Sequence, residues 1–321
     1  MFRSSSSAPI AAALAALAAL ACSGKSDSHS DGQRTAATAS DRAGSRSLPA
    51  RWHYTFKPSA DVATMTTQVC FAGQVPTVLD AQMPAARWSL VGRPQRVIRG
   101  VAQLERKPLE HGVSGIDLAP VRPGDCVEWV QDLRATADKA ENKRQVRAVG
   151  DDLLMSPDYW LWKPSPRTGA VLTASCELPD GVAVAVPWPK TGPDGSYLIP
   201  ETTFDWRIYG AIGRFELATI ALGDNDRAAR LNVAILGDEW TAPRELLLDW
   251  LKHSAQAVAA LYPGFPVTEG CLILVPVPGN RVVFGSVSQG GGPSAIILAG
   301  VEVTDDDLRD DWVAVHEMLH W

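Results

Sequence analysis

Several features are missing or scarce in this chain of 321 residues, and each absence narrows what it can do. There is no long basic run and the formal net charge is −6, which argues against a nucleic-acid binder, since such proteins carry a basic face. After the N-terminus there is no apolar run of membrane-spanning length and no internal repeat. The run Gly290-Gly291-Gly292 is not followed by Gly-Lys-Ser/Thr, so it is not a phosphate loop. Cysteines number only five: Cys22 near the start, then Cys70, Cys126, Cys176 and Cys271. What remains is 46 % hydrophobic and 21 % charged, the balance of a soluble globular protein with length enough for two domains.

Residues 1–21 read as a signal peptide rather than as fold. Arg3 gives a positive start, and Ala8 to Ala21 is an apolar alanine/leucine stretch too short for a membrane span. Ala19-Leu20-Ala21-Cys22 fits an ordinary signal-peptidase site and also resembles a bacterial lipobox. Both readings cut before Cys22 and export the chain to the cell envelope, in the periplasm or at the outer membrane. The lipobox reading makes Cys22 the lipidated residue and membrane anchor. Residues 22–49, rich in Ser, Ala, Asp, Gly and Arg without apolar periodicity, read as a disordered tether. Four further cysteines in an exported chain permit two disulfides in three pairings. Cys70–Cys126 with Cys176–Cys271 keeps the first bridge within one domain; reduced, buried thiols are the alternative.

Residues 50–190 carry short β-prone runs separated by turn signals such as Pro123-Gly124-Asp125, the pattern of a β-sandwich. The aromatic run Tyr159-Trp160-Leu161-Trp162 reads as core or as an inter-domain contact before a ligand groove. Residues 191–321 alternate strand and helix signals, with one helix through Leu246, Leu247, Trp250, Leu251, Val258 and Leu261 that Pro263-Gly264 stops. His253 on that helix reads as a solvated or packing histidine. A glycine stretch leading into the strand at Ala295 leaves room for an extended peptide, which makes Gly291, Gly292, Ser294 and Ala295 candidates for holding substrate backbone; a flexible connection is the alternative. Thr304 is a good N-cap for a last helix, with Asp305, Asp306 and Asp307 in its first turn.

That helix leads into His316-Glu317-Met318-Leu319-His320, an H-E-x-x-H motif. Two histidines four residues apart share a helix face and reach one Zn2+ ion; Glu317 then stands beside the water that the metal activates, as general base. The arrangement resembles the gluzincin peptidases, most closely the glycyl-aminopeptidase-like group often associated with a PDZ domain. The larger zinc aminopeptidases share the layout but carry a Gly-x-Met-Glu-Asn segment that is absent here. The resemblance implies an α+β fold: an N-terminal β-sandwich-like domain, then the first half of a thermolysin-like (zincin) α/β peptidase domain. It also implies a third ligand, a glutamate about twenty residues beyond His320. The expectation is therefore the N-terminal portion of an exported zinc peptidase, truncated after its motif and weak as it stands, acting on peptides or proteins. Two other classes remain: a non-catalytic envelope lipoprotein that acts as a binding module, and a metal hydrolase of a non-peptide substrate.

Overall fold

Alternation of side chains builds the first layer. In Arg51–Pro58 the buried residues are Trp52, Tyr54, Phe56 and Pro58, and in Thr64–Ala72 they are Met65, Thr67, Val69 and Phe71. Such a period of two turns one face of each strand to a core. In the computed structural model these two strands pair antiparallel at the middle of an eight-stranded sheet. Its order is Lys190–Thr191, Ser196–Leu198, Val171–Cys176, Arg51–Pro58, Thr64–Ala72, Cys126–Asp132, Leu90–Arg99 and Leu104–Pro108. Two four-stranded sheets share the core with it, and Trp52, Trp129, Trp160, Trp162 and Trp188 fill that core, each 1–2 % exposed. The structure describes residues 49–321 except 101–102, 114, 168, 193 and 224–227. The expected signal peptide, Cys22 and nearly all of the expected tether lie outside the described residues.

The second layer is a five-stranded sheet in the order Leu217–Leu222, Ala229–Ile235, Glu269–Val277, Ser294–Gly300 and Val282–Ser288. The three inner strands run parallel and the two outer ones antiparallel to their neighbours. The runs Cys271–Val275 and Ala295–Ile297 are buried throughout, as strands covered on both faces must be. The helix Arg244–Ala259 connects two parallel strands and buries Leu247, Trp250, Leu251, Ser254, Ala255 and Val258 at helical spacing.

The expected α+β fold, ending in half of a thermolysin-like α/β domain, is overturned. The described chain is predominantly β, with strands in four sheets, and only the helix Arg244–Ala259 exceeds seven residues. The physical reason lies in where the short strands go. Lys190–Thr191 and Ser196–Leu198 extend the eight-stranded sheet, and Ala211–Gly213 pairs with Asp152–Met155 and Ala183–Ala185. Residues 191–216 thus complete the first layer instead of opening a helical one. The last helix is also divided. Thr304 caps Asp305–Arg309 in a capping box with Asp307, and a second helix, Val313–Leu319, begins where the Asp311 carboxylate accepts the Ala314 N–H at 3.2 Å.

The cysteines correct a second expectation. Cys70 and Cys126 are directly opposed on neighbouring strands and form a disulfide. Cys176 and Cys271 are free thiols, one in the eight-stranded and one in the five-stranded sheet, so no bridge joins them. Burial pushes both thiols up to about 12, which leaves them protonated and unreactive.

One carboxylate fastens the layers together. Asp152, 5 % exposed, accepts the Arg214 N–H at 2.6 Å with one oxygen and the Gly237 N–H at 2.8 Å with the other. Burial pushes this carboxyl up, and the two backbone donors hold it back.

Candidate metal centre

The helix Val313–Leu319 turns Ala314 and Met318 inward, each 0 % exposed, against Leu247, Leu251 and the sheet. Its opposite face carries His316 and His320, both exposed. Their Nε2 atoms stand 3.1 Å apart. Two ligand nitrogens at about 2.05 Å from a tetrahedral ion are separated by about 3.3 Å, so these two imidazoles already have the spacing of a zinc pair. Among the described residues, no group of three or more His, Cys, Asp or Glu side chains is arranged to hold an ion. The described residues thus bring together two candidate donors, where a catalytic zinc takes three from protein. The Trp312 ring meets His316 edge-on with centroids 4.9 Å apart, and so restrains the imidazole from the side.

Glu317 lies between the histidines in sequence and is 8 % exposed. Its arm rests on the strand Val282–Ser288: a Cβ at Gly285 would fall 2.3 Å from Glu317 Cγ. Only glycine lets the helix come this close. Burial pushes the Glu317 carboxyl above its usual range, and the two imidazoles draw it partly back. A carboxyl raised in this way takes up a proton more readily than a solvated one.

Val282–Ser288 is the last strand of its sheet, paired on one side only. Its other side is an unpaired edge of the sheet, and Ser288 at its end lines the same cleft as His320. Around it stand side chains from the first layer. The Tyr209 hydroxyl donates to Ser286 Oγ at 2.7 Å, and the Arg144 guanidinium lies 4.7 Å from the centre of the Phe284 ring. The Gln289 amide donates to the carbonyl of His320. A cleft of ≈ 490 Å³ opens here between Trp206, Arg207, Tyr209, Gln145, Ser288 and His320. That is the size of a small-ligand site, about 300–1,000 Å³.

The other expected site residues sit further in. Ser294 and Ala295, both 0 % exposed, belong to an inner strand paired with Cys271 and Leu272 on one side and with Ser288 and Val287 on the other. The Gly291 N–H donates to Thr202 Oγ1 at 2.9 Å and its carbonyl accepts from Thr203 Oγ1 at 3.3 Å. A Cβ at Gly292 would fall 2.2 Å from the Pro187 carbonyl oxygen. The glycine run is therefore a packing seam against residues 187 and 202–208. The helix that carries the two histidines was legible in the sequence; the place of Val282–Ser288 at the sheet edge, the role of Gly285 in it, and the loop with Trp206, Arg207 and Tyr209 were missed. Glycine within a β-prone run, Val282 to Ser288, is the one local signal that marked a close approach.

No protein-family model matches this sequence, and no curated protein matches it. In fold, the chain is similar to a protein of the aminopeptidase N family. That protein, from Idiomarina loihiensis, has a crystal structure that superposes with a TM-score of 0.53 at 11 % sequence identity. The match covers 84 % of this chain and 47 % of the other, so this chain spans about half the length of its neighbour. At that identity the likeness shows a shared fold.

Proposed function

We propose that this chain belongs to an exported zinc-dependent peptidase of the cell envelope, carried there by residues 1–21 and anchored through Cys22. The observation that carries the reading is the pair of Nε2 atoms 3.1 Å apart with a buried, raised carboxyl between them in sequence. His316 and His320 would hold the ion, and a third protein donor is required from beyond the described residues. When bound, zinc polarises a carbonyl and acidifies water. Glu317 takes the proton of the attacking water at its carboxylate, and the backbone of Gly285 holds that carboxylate in place. A peptide substrate adds as a further strand along Val282–Ser288, where unpaired N–H and C=O groups fix its backbone next to the histidines. Tyr209 and Ser286 border that edge and orient the segment.

The test is peptide-library hydrolysis by the full-length gene product loaded with zinc. Glu317→Gln should lower turnover about 10²–10⁴-fold while zinc content stays at the wild-type level. Equal turnover by the variant would sink the general-base role. Zinc binding without hydrolysis of any peptide would point to the non-catalytic binding role or to a non-peptide substrate.

A further inference from the structure

The cleft beside His320 shares part of its wall with a neighbouring hollow. The shared residues are Gln145 and Arg207, and the hollow, of ≈ 210 Å³, lies on the tryptophan-rich layer. Met83, Ala85, Trp88 and Tyr159 supply its apolar sides. The hollow is smaller than a site for a whole ligand, about 300–1,000 Å³, and suits a single side chain.

Two observations mark it as a place for a ligand. The first is Trp88. Its side chain is 66 % exposed, yet its backbone is held: the N–H donates to the Pro84 carbonyl at 3.0 Å, and the carbonyl accepts from Lys139 Nζ at 2.7 Å. A large aromatic in water on a fixed backbone is the kind of residue that anchors binding, since little order is lost when it is covered. The second is Gln145. It is 6 % exposed, and its Oε1 has no hydrogen-bond partner. A buried amide oxygen without a donor is unfavourable until one arrives, and a peptide N–H is such a donor.

We infer that this hollow is a specificity subsite that takes a medium to large apolar side chain of the peptide, while the peptide N–H pairs with Gln145 Oε1. The inference rests on the peptidase reading of the histidine helix. The rim groups Lys139, Glu141 and Arg207 are of mixed sign, so the hollow selects by apolar fit rather than by charge.

The test separates binding from catalysis. The full-length protein, with no metal added, is titrated by ligand-observed NMR with N-acetyl-L-phenylalaninamide and with N-acetylglycinamide. The phenylalanine amide should bind at least tenfold tighter. Trp88→Ala should bring the two within twofold of each other, and Trp88→Phe should keep most of the difference. Because the Trp88 side chain is exposed, circular dichroism should show both variants folded. In hydrolysis assays on the zinc-loaded protein, Trp88→Ala should raise KM for phenylalanine-containing peptides about tenfold, with the loss in KM rather than in kcat. Equal affinity for the two amides in the wild type, or discrimination that survives Trp88→Ala, overturns the subsite. Discrimination without hydrolysis of any peptide supports the hollow as a binding site and overturns the peptidase reading.

Discussion

The tryptophan-rich layer and the five-stranded sheet fill their interiors with different side chains. The first buries five tryptophans together with Tyr54, Phe56, Phe71, Tyr159 and Phe204. Between the second sheet and its helices the buried core is Leu, Ile, Val, Ala and Met with Trp250 as its one buried aromatic, and Trp240, Phe265 and Trp321 pack half-buried at its margin. Large rings bridge irregular spaces, which suits a layer made of strands as short as two or three residues. Aliphatic residues and small ones, Ala314 and Gly285 among them, allow close and regular approach. The first layer can therefore supply adjustable walls to the cleft, while the second holds the histidines and Glu317 to a fixed distance. A cross-strand disulfide braces the irregular layer, and the tight one has none among the described residues.

The comparison can be pressed at three points. The largest expected effect is in the first layer. The Cys70–Cys126 bond spans 56 residues, and a loop of that size corresponds to about 4 kcal/mol in the chain-entropy treatment. Replacing both cysteines with serine should lower stability by about 2–4 kcal/mol in denaturant melts, and reductant should do the same to the wild type only. No change in either would mean that the aromatic core needs no brace. Next is the approach distance in the second layer. Gly285→Ala should cost about 1–3 kcal/mol through overpacking on Glu317, and any peptidase activity should fall with it while zinc is retained. Full activity in that variant would show that the helix has room to move. The smallest effect is at the helix start: Thr304→Ala should cost about 1 kcal/mol through loss of the capping box, measured as a shift in the unfolding midpoint.

Features with a local signature were readable from the sequence. β-prone, aromatic-rich composition in Trp52 to Phe56 and in Ala63 to Phe71 marked strands, the spacing from Leu247 to Val258 marked a helix, and Thr304 marked a cap. The histidine pair was readable because four residues along a helix return to the same face. Features created by distant partners were not. That residues 191–216 complete the first layer depends on pairing with strands up to about 60 residues earlier, such as Ala211 with Leu154. Cys176 and Cys271 carry nothing in their neighbourhood that says they lie in separate sheets. Ser294 and Ala295 look like a strand that a peptide could join; only the full strand order reveals Val282–Ser288 outside them. The break at Asp310 to Trp312 interrupts an apolar stripe that a continuous helix would also have satisfied. Asp311 capping Ala314 decides it.

Asp152 has a consequence for what this position tolerates. Its two oxygens take two backbone N–H groups from segments that the chain visits far apart, at 214 and 237. A fork of two acceptors is a rivet: it stops one layer sliding past the other by even a single residue, about 3.3 Å along a strand. Asparagine brings one acceptor and one donor and would turn a donor toward a donor. Glutamate is longer by a methylene, with Gly213 already so close that a Cβ there would fall 2.1 Å from the Asp152 carboxylate. No other side chain has this reach with two acceptors, so the alignment of the five-stranded sheet against the first layer hangs on the choice of one residue.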